Sequence, residues 1–252
     1  RDVLLKDQNE ARRRTPGHHR TVRSFVRRAG RLTPSQARAI ESLWPRFGID
    51  PPATPLDLDA IFGRQAPRTL EIGFGDGDNL ATLAARHPER DYLGIEVHDP
   101  GVGRILLRIE REGLENIRVA RHDAVEVINH WLAPDSIDEL LVFFPDPWHK
   151  KRHHKRRLIQ AGFLEQLACV MPPGARLHLA TDWAPYAEDM LATCDASPAF
   201  ENAQPGGGYA TRPDTRPTTK FERRGLRLGH AVFDLLCKRT DWRPPKVDRP
   251  SG

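Results

Sequence analysis

The segment Leu70-Glu71-Ile72-Gly73-Phe74-Gly75-Asp76-Gly77-Asp78-Asn79 sets three glycines among three acids. Glycines at a strand-to-helix turn let the backbone approach a ligand closely, and the N–H groups that open the next helix point at it. A dinucleotide fingerprint, Gly-x-Gly-x-x-Gly, needs its third glycine where Asp78 stands. Glu71, Asp76 and Asp78 are poor company for a pyrophosphate and good company for a cation such as a sulfonium. By itself the loop also reads as a turn that serves close helix–strand packing. Glu96 ends the next apolar run, where an acid can accept from two ribose hydroxyls. Asp123 follows the run after that and can take an adenine amino group, although Asp is equally a common helix N-cap. Together, three acids at three consecutive strand ends favour S-adenosylmethionine as the ligand.

A second constellation follows. Leu141-Val142-Phe143-Phe144-Pro145-Asp146-Pro147-Trp148-His149-Lys150 runs an apolar strand into a carboxylate bracketed by prolines, with an indole two residues on. Prolines fix φ and remove donors, so Asp146 is held rigidly at the strand end. A rigid carboxylate beside an aromatic plane can grip a planar base, the ring stacking while the carboxylate accepts from ring N–H groups. The form is similar to the Asn/Asp-Pro-Pro-aromatic turns that methylate base nitrogens; the plain alternative is a proline-rich turn with a core Trp. Lys150-Lys151-Arg152-His153-His154-Lys155-Arg156-Arg157 then gives six Lys and Arg with no acid. Such a run is commonly a solvated face, but beside a base pocket it would carry phosphates. His149, His153 and His154 lack a nearby Cys or acid, which opposes a metal site. Asp182-Trp183 repeats the acid–indole pairing at a fifth strand end, and Thr219-Lys220-Phe221-Glu222 can fold over the base or form an ordinary edge strand.

These groups need elements to converge. Apolar runs at 69–72, 92–95, 117–120, 140–144 and 176–180 alternate with helical stretches near 78–87, 101–113, 124–132, 158–171 and 185–196. That alternation predicts an α/β fold with a parallel sheet and right-handed crossovers. Runs at 219–224 and 231–238 follow a Pro/Gly-rich loop without an intervening helix and predict a terminal antiparallel hairpin. Thr33 and Pro34 mark a helix start, with Ile40, Leu43, Trp44 and Phe47 on one face.

Composition bounds the rest. The chain has 252 residues, 38% hydrophobic and 29% charged, with no apolar run near the ~20 residues of a membrane span. The start is Arg-rich without an apolar core, unlike a secretory signal, and Cys169, Cys194 and Cys237 fit a reducing cytosol. Residues 1–40 hold 11 Lys and Arg against three acids, a net of +8, so a chain of net +5 leaves −3 for the other 212 residues. The chain therefore divides into a basic arm (1–32), expected to be mobile or ordered by a polyanion, a main domain (33–240) and a tail (241–252).

The sequence resembles the tRNA (guanine-N7-)-methyltransferases of the bacterial single-chain type. The resemblance is carried by Arg23-Ser24-Phe25-Val26-Arg27-Arg28 with Gly30-Arg31-Leu32-Thr33, by Glu71-Ile72-Gly73-Phe74-Gly75 and by Gly94-Ile95-Glu96. It continues through Phe144-Pro145-Asp146-Pro147-Trp148-His149-Lys150-Lys151-Arg152-His153, Ala180-Thr181-Asp182-Trp183 and Thr219-Lys220-Phe221-Glu222-Arg223-Arg224-Gly225. It implies a class I S-adenosylmethionine-dependent methyltransferase (Rossmann-like) fold with a mostly parallel seven-stranded sheet. It implies a cofactor site of Glu71, Gly73, Gly75, Glu96, Asp123 and Asp146, with Asp146 also catalytic. Lys150, Asp182, Thr219, Lys220, Phe221 and Glu222 are expected at the guanine, and Arg152, His153, His154, Lys155, Arg156 and Arg157 at the RNA. The implied target is guanine N7 in the tRNA variable loop, and the expectation is a cytoplasmic monomer without metal or membrane. Three rivals stay open from the residues: methylation of another base nitrogen or a protein, an NAD-type oxidoreductase, and a non-catalytic RNA-binding protein.

Overall fold

Helix α1 (Pro34–Phe47) starts where the sequence marks it, because Thr33 and Gln36 form a reciprocal capping box ahead of Pro34. The structure, a computed structural model, describes residues 30–213, 216–218, 222 and 231–244. Most of the basic arm, the substrate expectations for Thr219, Lys220 and Phe221, and most of the tail lie outside the described residues.

After α1 come β1 (Gly48–Ile49), α2 (Leu58–Phe62), β2 (Arg68–Ile72), α3 (Asp78–Arg86), β3 (Asp91–Ile95), α4 (Asp99–Glu112) and β4 (Ile117–Ala120). The second half holds α5 (Ala124–Glu126) running into a π-helical turn (Val127–Trp131), β5 (Glu139–Phe143), a 3₁₀ helix (Lys151–Arg156), α6 (Ala161–Val170), β6 (Arg176–Thr181), α7 (Ala184–Asp195), β7 (Phe200–Asn202) and β8 (Phe233–Arg239). Among the described residues the sheet order is β1-β4-β3-β2-β5-β6-β8-β7. The strands from β1 to β6 pair in parallel, while β8 runs antiparallel to both β6 and β7.

The expected mostly parallel sheet with a terminal antiparallel pair is present, with two differences. A two-residue strand, β1, adds an eighth at the edge, too short to leave an apolar pattern. The partner of β8 is Phe200–Asn202 rather than the run at 219–224, of which only Glu222 is described, in a helical conformation. A three-residue strand with one buried side chain carries almost no periodic signal.

Both sheet faces are covered, as the unbroken apolar strands require. Tyr92, Val119 and Leu141 pack under Phe47, Leu80, Ile105 and Ile109 from α1, α3 and α4. Leu70, Leu93, Leu140 and Leu177 pack under Leu58, Trp131, Leu164 and Met190 on the other face. The chain leaves β2 toward β3 on one side and returns to β5 on the other. That reversal opens a crevice at the carboxyl end of β2, the usual binding place of doubly wound sheets. No helix among the described residues is long and apolar enough to cross a membrane.

Candidate active site

The glycine loop leaves β2 with Gly73, Gly75 and Gly77 all in the left-handed region, at φ 71°, 58° and 79°. Two different needs are met within these five residues. A Cβ on Gly73 or Gly75 would meet open space, whereas one on Gly77 would press on Ile105 of α4 at 2.6 Å. The loop is thus both an open cradle and a close helix–strand contact. Helix α4 supports the cradle from beneath, since a Cβ on Gly101 would lie 2.2 Å from the Gly75 carbonyl oxygen.

Glu96 is fixed to that loop. Its Oε2 accepts from Gly75 N–H at 2.9 Å, and its Oε1 from Val97 and His98 N–H at 2.7 and 3.1 Å. A carboxylate has about four acceptor positions, so one remains at Oε2 for a hydroxyl. Asp123 caps α5 through Oδ1, which accepts from Val125 N–H at 2.8 Å, so it is both the N-cap and a half-buried acid at the third strand end. Glu71 is buried at 3% exposure beneath the loop, and Asn79 Nδ2 donates to its Oε2 at 3.0 Å. Burial pushes the Glu71 pKa up to about 8, with the Asn79 bond opposing and Glu96 adding to the rise. Glu71 is therefore largely protonated at neutral pH, and a cation placed beside it would release that proton. Asn79 Oδ1 is buried with no partner among the described residues. An open glycine cradle, three strand-end acids and an orphaned buried acceptor fit a nucleoside that carries a cationic amino-acid tail.

The second constellation sits at the ends of β5 and β6. Phe144 and Trp148 both take positive φ, at 52° and 47°, and bend the chain on either side of Pro145-Asp146-Pro147. Non-glycine residues hold that conformation only where the surroundings enforce it. Phe144 N–H donates to Ala180 O of β6 at 2.8 Å. Arg157 Nε donates to Pro147 O at 2.8 Å, while its guanidinium pairs with Asp189 and lies 4.7 Å over the Tyr186 ring. Asp146 is left exposed, with no hydrogen-bond partner among the described residues. Asp182 is also exposed, one residue past β6. The two turns meet where the His149 ring packs edge-on against Trp183 at 4.3 Å.

The basic run is one exposed 3₁₀ helix with an exception. Lys150, Lys151, Arg152, Lys155 and Arg156 are exposed, and His153 and His154 are half-buried. Desolvation and the charges of Arg152, Arg156, Lys150 and Lys155 hold the His153 pKa below its usual value. Arg157 is turned inward, only 4% exposed, and braces the Asp146 turn instead of facing out with its neighbours. The Trp148 indole also serves the scaffold, with Arg156 stacked 4.9 Å over it and His153 at its edge. Trp183 is the exposed indole, at 38%. Among the described residues no three His, Cys, Asp or Glu gather as a metal site.

Sequence reasoning passed over a buried charge cluster behind this turn. Arg216 donates to both oxygens of Asp234 at 2.8 and 2.9 Å and to both oxygens of Glu222 at 2.7 and 2.8 Å. His178 Nε2 lies 2.7 Å from Asp234 Oδ1. Glu222, expected at the guanine, is 4% exposed and faces Arg216. The one sequence signal was a polar residue inside each of two apolar strand runs, His178 and Asp234.

Comparison with known proteins gives this geometry its setting. Residues 65–235 match a family described as putative methyltransferase. A tRNA (guanine-N(7)-)-methyltransferase of Burkholderia vietnamiensis is 56% identical over 240 residues, covering 94% of this chain and 93% of its own. One from Halorhodospira halophila is 58% identical over 220 residues, covering 87% and 95%. Among solved structures, the 16S rRNA methyltransferase KamB overlays with a TM-score of 0.56 at 17% identity, over 74% of this chain and 94% of its own. A 16S rRNA (adenine(1408)-N(1))-methyltransferase from Catenulisporales acidiphilia gives 0.51 at 18%, over 78% and 94%. Those two share the fold alone. With the glycine cradle, the strand-end acids and relatives this similar over nearly the whole length, the chain belongs to the tRNA (guanine-N7-)-methyltransferase family.

Proposed function

We propose that this chain transfers the methyl group of S-adenosylmethionine to N7 of a guanine in the variable loop of tRNA, and that the guanine docks between the β5 and β6 turns. The observation that carries the reading is Asp146, an exposed carboxylate on a turn braced from Ala180, Arg157 and Trp183, one strand from Asp182. Bound S-adenosylmethionine supplies the activated methyl group. Glu96 and Asp123 would hold its ribose and adenine, with Glu71 beneath the loop answering its positive charge.

Guanine N7 carries a lone pair and no proton, so the transfer needs no general base. The chain's residues act by positioning and by charge. Asp146 and Asp182 accept from the guanine N1–H and amino group, which turns N7 toward the glycine loop. The ring gains positive charge as the methyl arrives, and both carboxylates stabilise that charge where they stand. Lys150 reaches the guanine from the same turn, and the exposed cations Arg152, Lys155 and Arg156 with the rings of His153 and His154 carry the flanking phosphates. The enzyme would work as a cytoplasmic monomer.

Incubation with labelled S-adenosylmethionine and unmodified tRNA tests the reading. Label should enter tRNA, and aniline cleavage should place it at one guanine in the variable loop. Label without cleavage would mean a different base atom, and no transfer would exclude the reaction.

A further inference from the structure

We propose that Trp183 is a further catalytic residue: the target guanine stacks on its indole, whose π-electrons stabilise the positive charge that the ring gains as the methyl group arrives. This inference rests on the function proposed above.

An acid close to an indole occurs at two strand ends, in Asp146-Pro147-Trp148 and in Asp182-Trp183, and the structure separates the two. Trp148 is half-buried, with Arg156 stacked 4.9 Å over its ring and His153 at its edge. Trp183, at 38%, is the one large hydrophobic side chain left exposed among the described residues. A single exposed apolar side chain is ordinary on a protein surface; what sets this one apart is its place and its rigidity. It follows Asp182 directly, and the perpendicular His149 ring meets it at 4.3 Å, where the β5 and β6 turns join. A ring standing edge-on covers at most one face of its neighbour. Among the described residues no Arg or Lys stacks on the Trp183 ring, in contrast to Trp148. The backbone of Trp183 is fixed from both sides. Its N–H donates to Thr181 Oγ1 at 3.2 Å, and its carbonyl oxygen accepts from Tyr186 and Ala187 N–H at 2.9 Å each, in the first turn of α7. The indole is thus set in advance at the edge of the proposed guanine site.

The chemistry gives that position a use. The lone pair of guanine N7 forms the new N–C bond while the C–S bond breaks, and the electron pair of the C–S bond stays on sulfur. One positive charge therefore passes from sulfur to the purine ring, and no proton moves. An aromatic face is the negative end of a quadrupole, attracts a cation held over it, and does so best in Trp and where water is excluded. Neutral guanine gains stacking from the indole, whereas the methylated ring gains stacking and charge stabilisation. Only the difference between the two lowers the barrier. Asp146 and Asp182 act at the edge of the ring and Trp183 on its face.

The test compares Trp183→Phe and Trp183→Leu in single-turnover transfer at saturating tRNA, with folding checked by thermal melting and by S-adenosylmethionine binding. Leu keeps apolar area without a π-face, and Phe keeps a smaller face. Trp183→Leu should lose roughly 10-fold in rate and Trp183→Phe roughly 3-fold, each with affinity for unmodified tRNA within about 3-fold of wild type. A second readout needs no turnover: binding of tRNA that already carries 7-methylguanine at the target, relative to unmodified tRNA. That affinity ratio should fall from wild type to Trp183→Phe to Trp183→Leu. Should Trp183→Leu fail to fold, the ratio for Trp183→Phe decides, and an unchanged ratio would overturn the proposal. Equal rates for Phe and Leu would also overturn it, and so would a loss confined to tRNA affinity, which would make Trp183 a stacking partner of a flanking base. Wild-type protein that transfers no methyl group would fail the function itself, whereas active wild type with Trp183→Leu at the wild-type rate fails this inference alone.

Discussion

The two halves of the active-site crevice are built differently. The cofactor half, at the ends of β2, β3 and β4, is held mostly by short-range parts: a glycine loop, a helix N-terminus, Glu71 on the Asn79 side chain, and the acids Glu96 and Asp123 that bond backbone within a few residues or across one loop. The guanine half, at the ends of β5 and β6, is held by long-range parts. Arg157, Ala180 and the Arg216 cluster bear on the turn at residues 144–148, and Trp183 on His149 that follows it. A half assembled from local contacts tolerates change except at its loop and at the helix packed beneath it, whereas one assembled at a distance is sensitive to many residues that never meet the substrate.

The largest effect expected from this contrast is at Asp146. Asp146→Asn should lower single-turnover transfer by about 10²–10³-fold, since it removes a charge aimed at the developing cation, with cofactor affinity within a few-fold of wild type. Equal loss of cofactor binding would place Asp146 in the cofactor half alone. On that side the most damaging single atom should be a methyl at Gly101. Gly101→Ala drives a Cβ into the Gly75 carbonyl oxygen, a backbone atom that cannot swing away. A loss of about 1–3 kcal/mol in chemical unfolding is expected, with cofactor binding weakened more than tRNA binding.

Glu71 provides a pH test of the cofactor half. Its ordinary value is 4.5 and its folded value about 8, so in this range the folded protein keeps a proton that the unfolded chain has released. The Glu71 contribution is full below pH 4.5 and is lost as pH rises toward 8. Glu71→Gln removes that dependence. The cofactor-free variant should gain in melting temperature relative to wild type between pH 5 and pH 8, and its cofactor affinity should lose the increase with pH expected of wild type. The smallest effect should come from the basic helix. Lys151→Ala or Arg152→Ala should weaken tRNA binding a few-fold and flatten the salt dependence by roughly 0.7–0.9 in log–log slope, measured by titration at several salt concentrations. Arg157→Ala, although it lies in the same run, should instead lower the melting temperature and the transfer rate.

The split between Arg152 and Arg157 also shows how much of the site was legible in the sequence. Residue type and spacing located the glycine loop, Glu96, Asp123, the proline-bracketed Asp146 and the basic run, because each motif is a run of neighbouring residue types that is read without knowing what it contacts. Spacing does not say which cation of an unbroken run turns inward; that depends on Tyr186 and Asp189 of α7, 29 and 32 residues further on. Likewise two indoles read alike, yet Trp148 is covered by Arg156 and Trp183 is exposed. β7 escaped notice because three residues with one buried side chain hold no period.

The sequence by itself determined the α/β alternation, the ligand edge of the sheet and the chemical character of each half, since apolar runs, glycine turns and strand-end acids are local properties. Only the tertiary structure decided that Arg216, Glu222, Asp234 and His178 form one buried cluster behind the Asp146 turn. Its members lie up to 56 residues apart, and a charged side chain's partner is chosen by where the folded sheet brings another charge out of water.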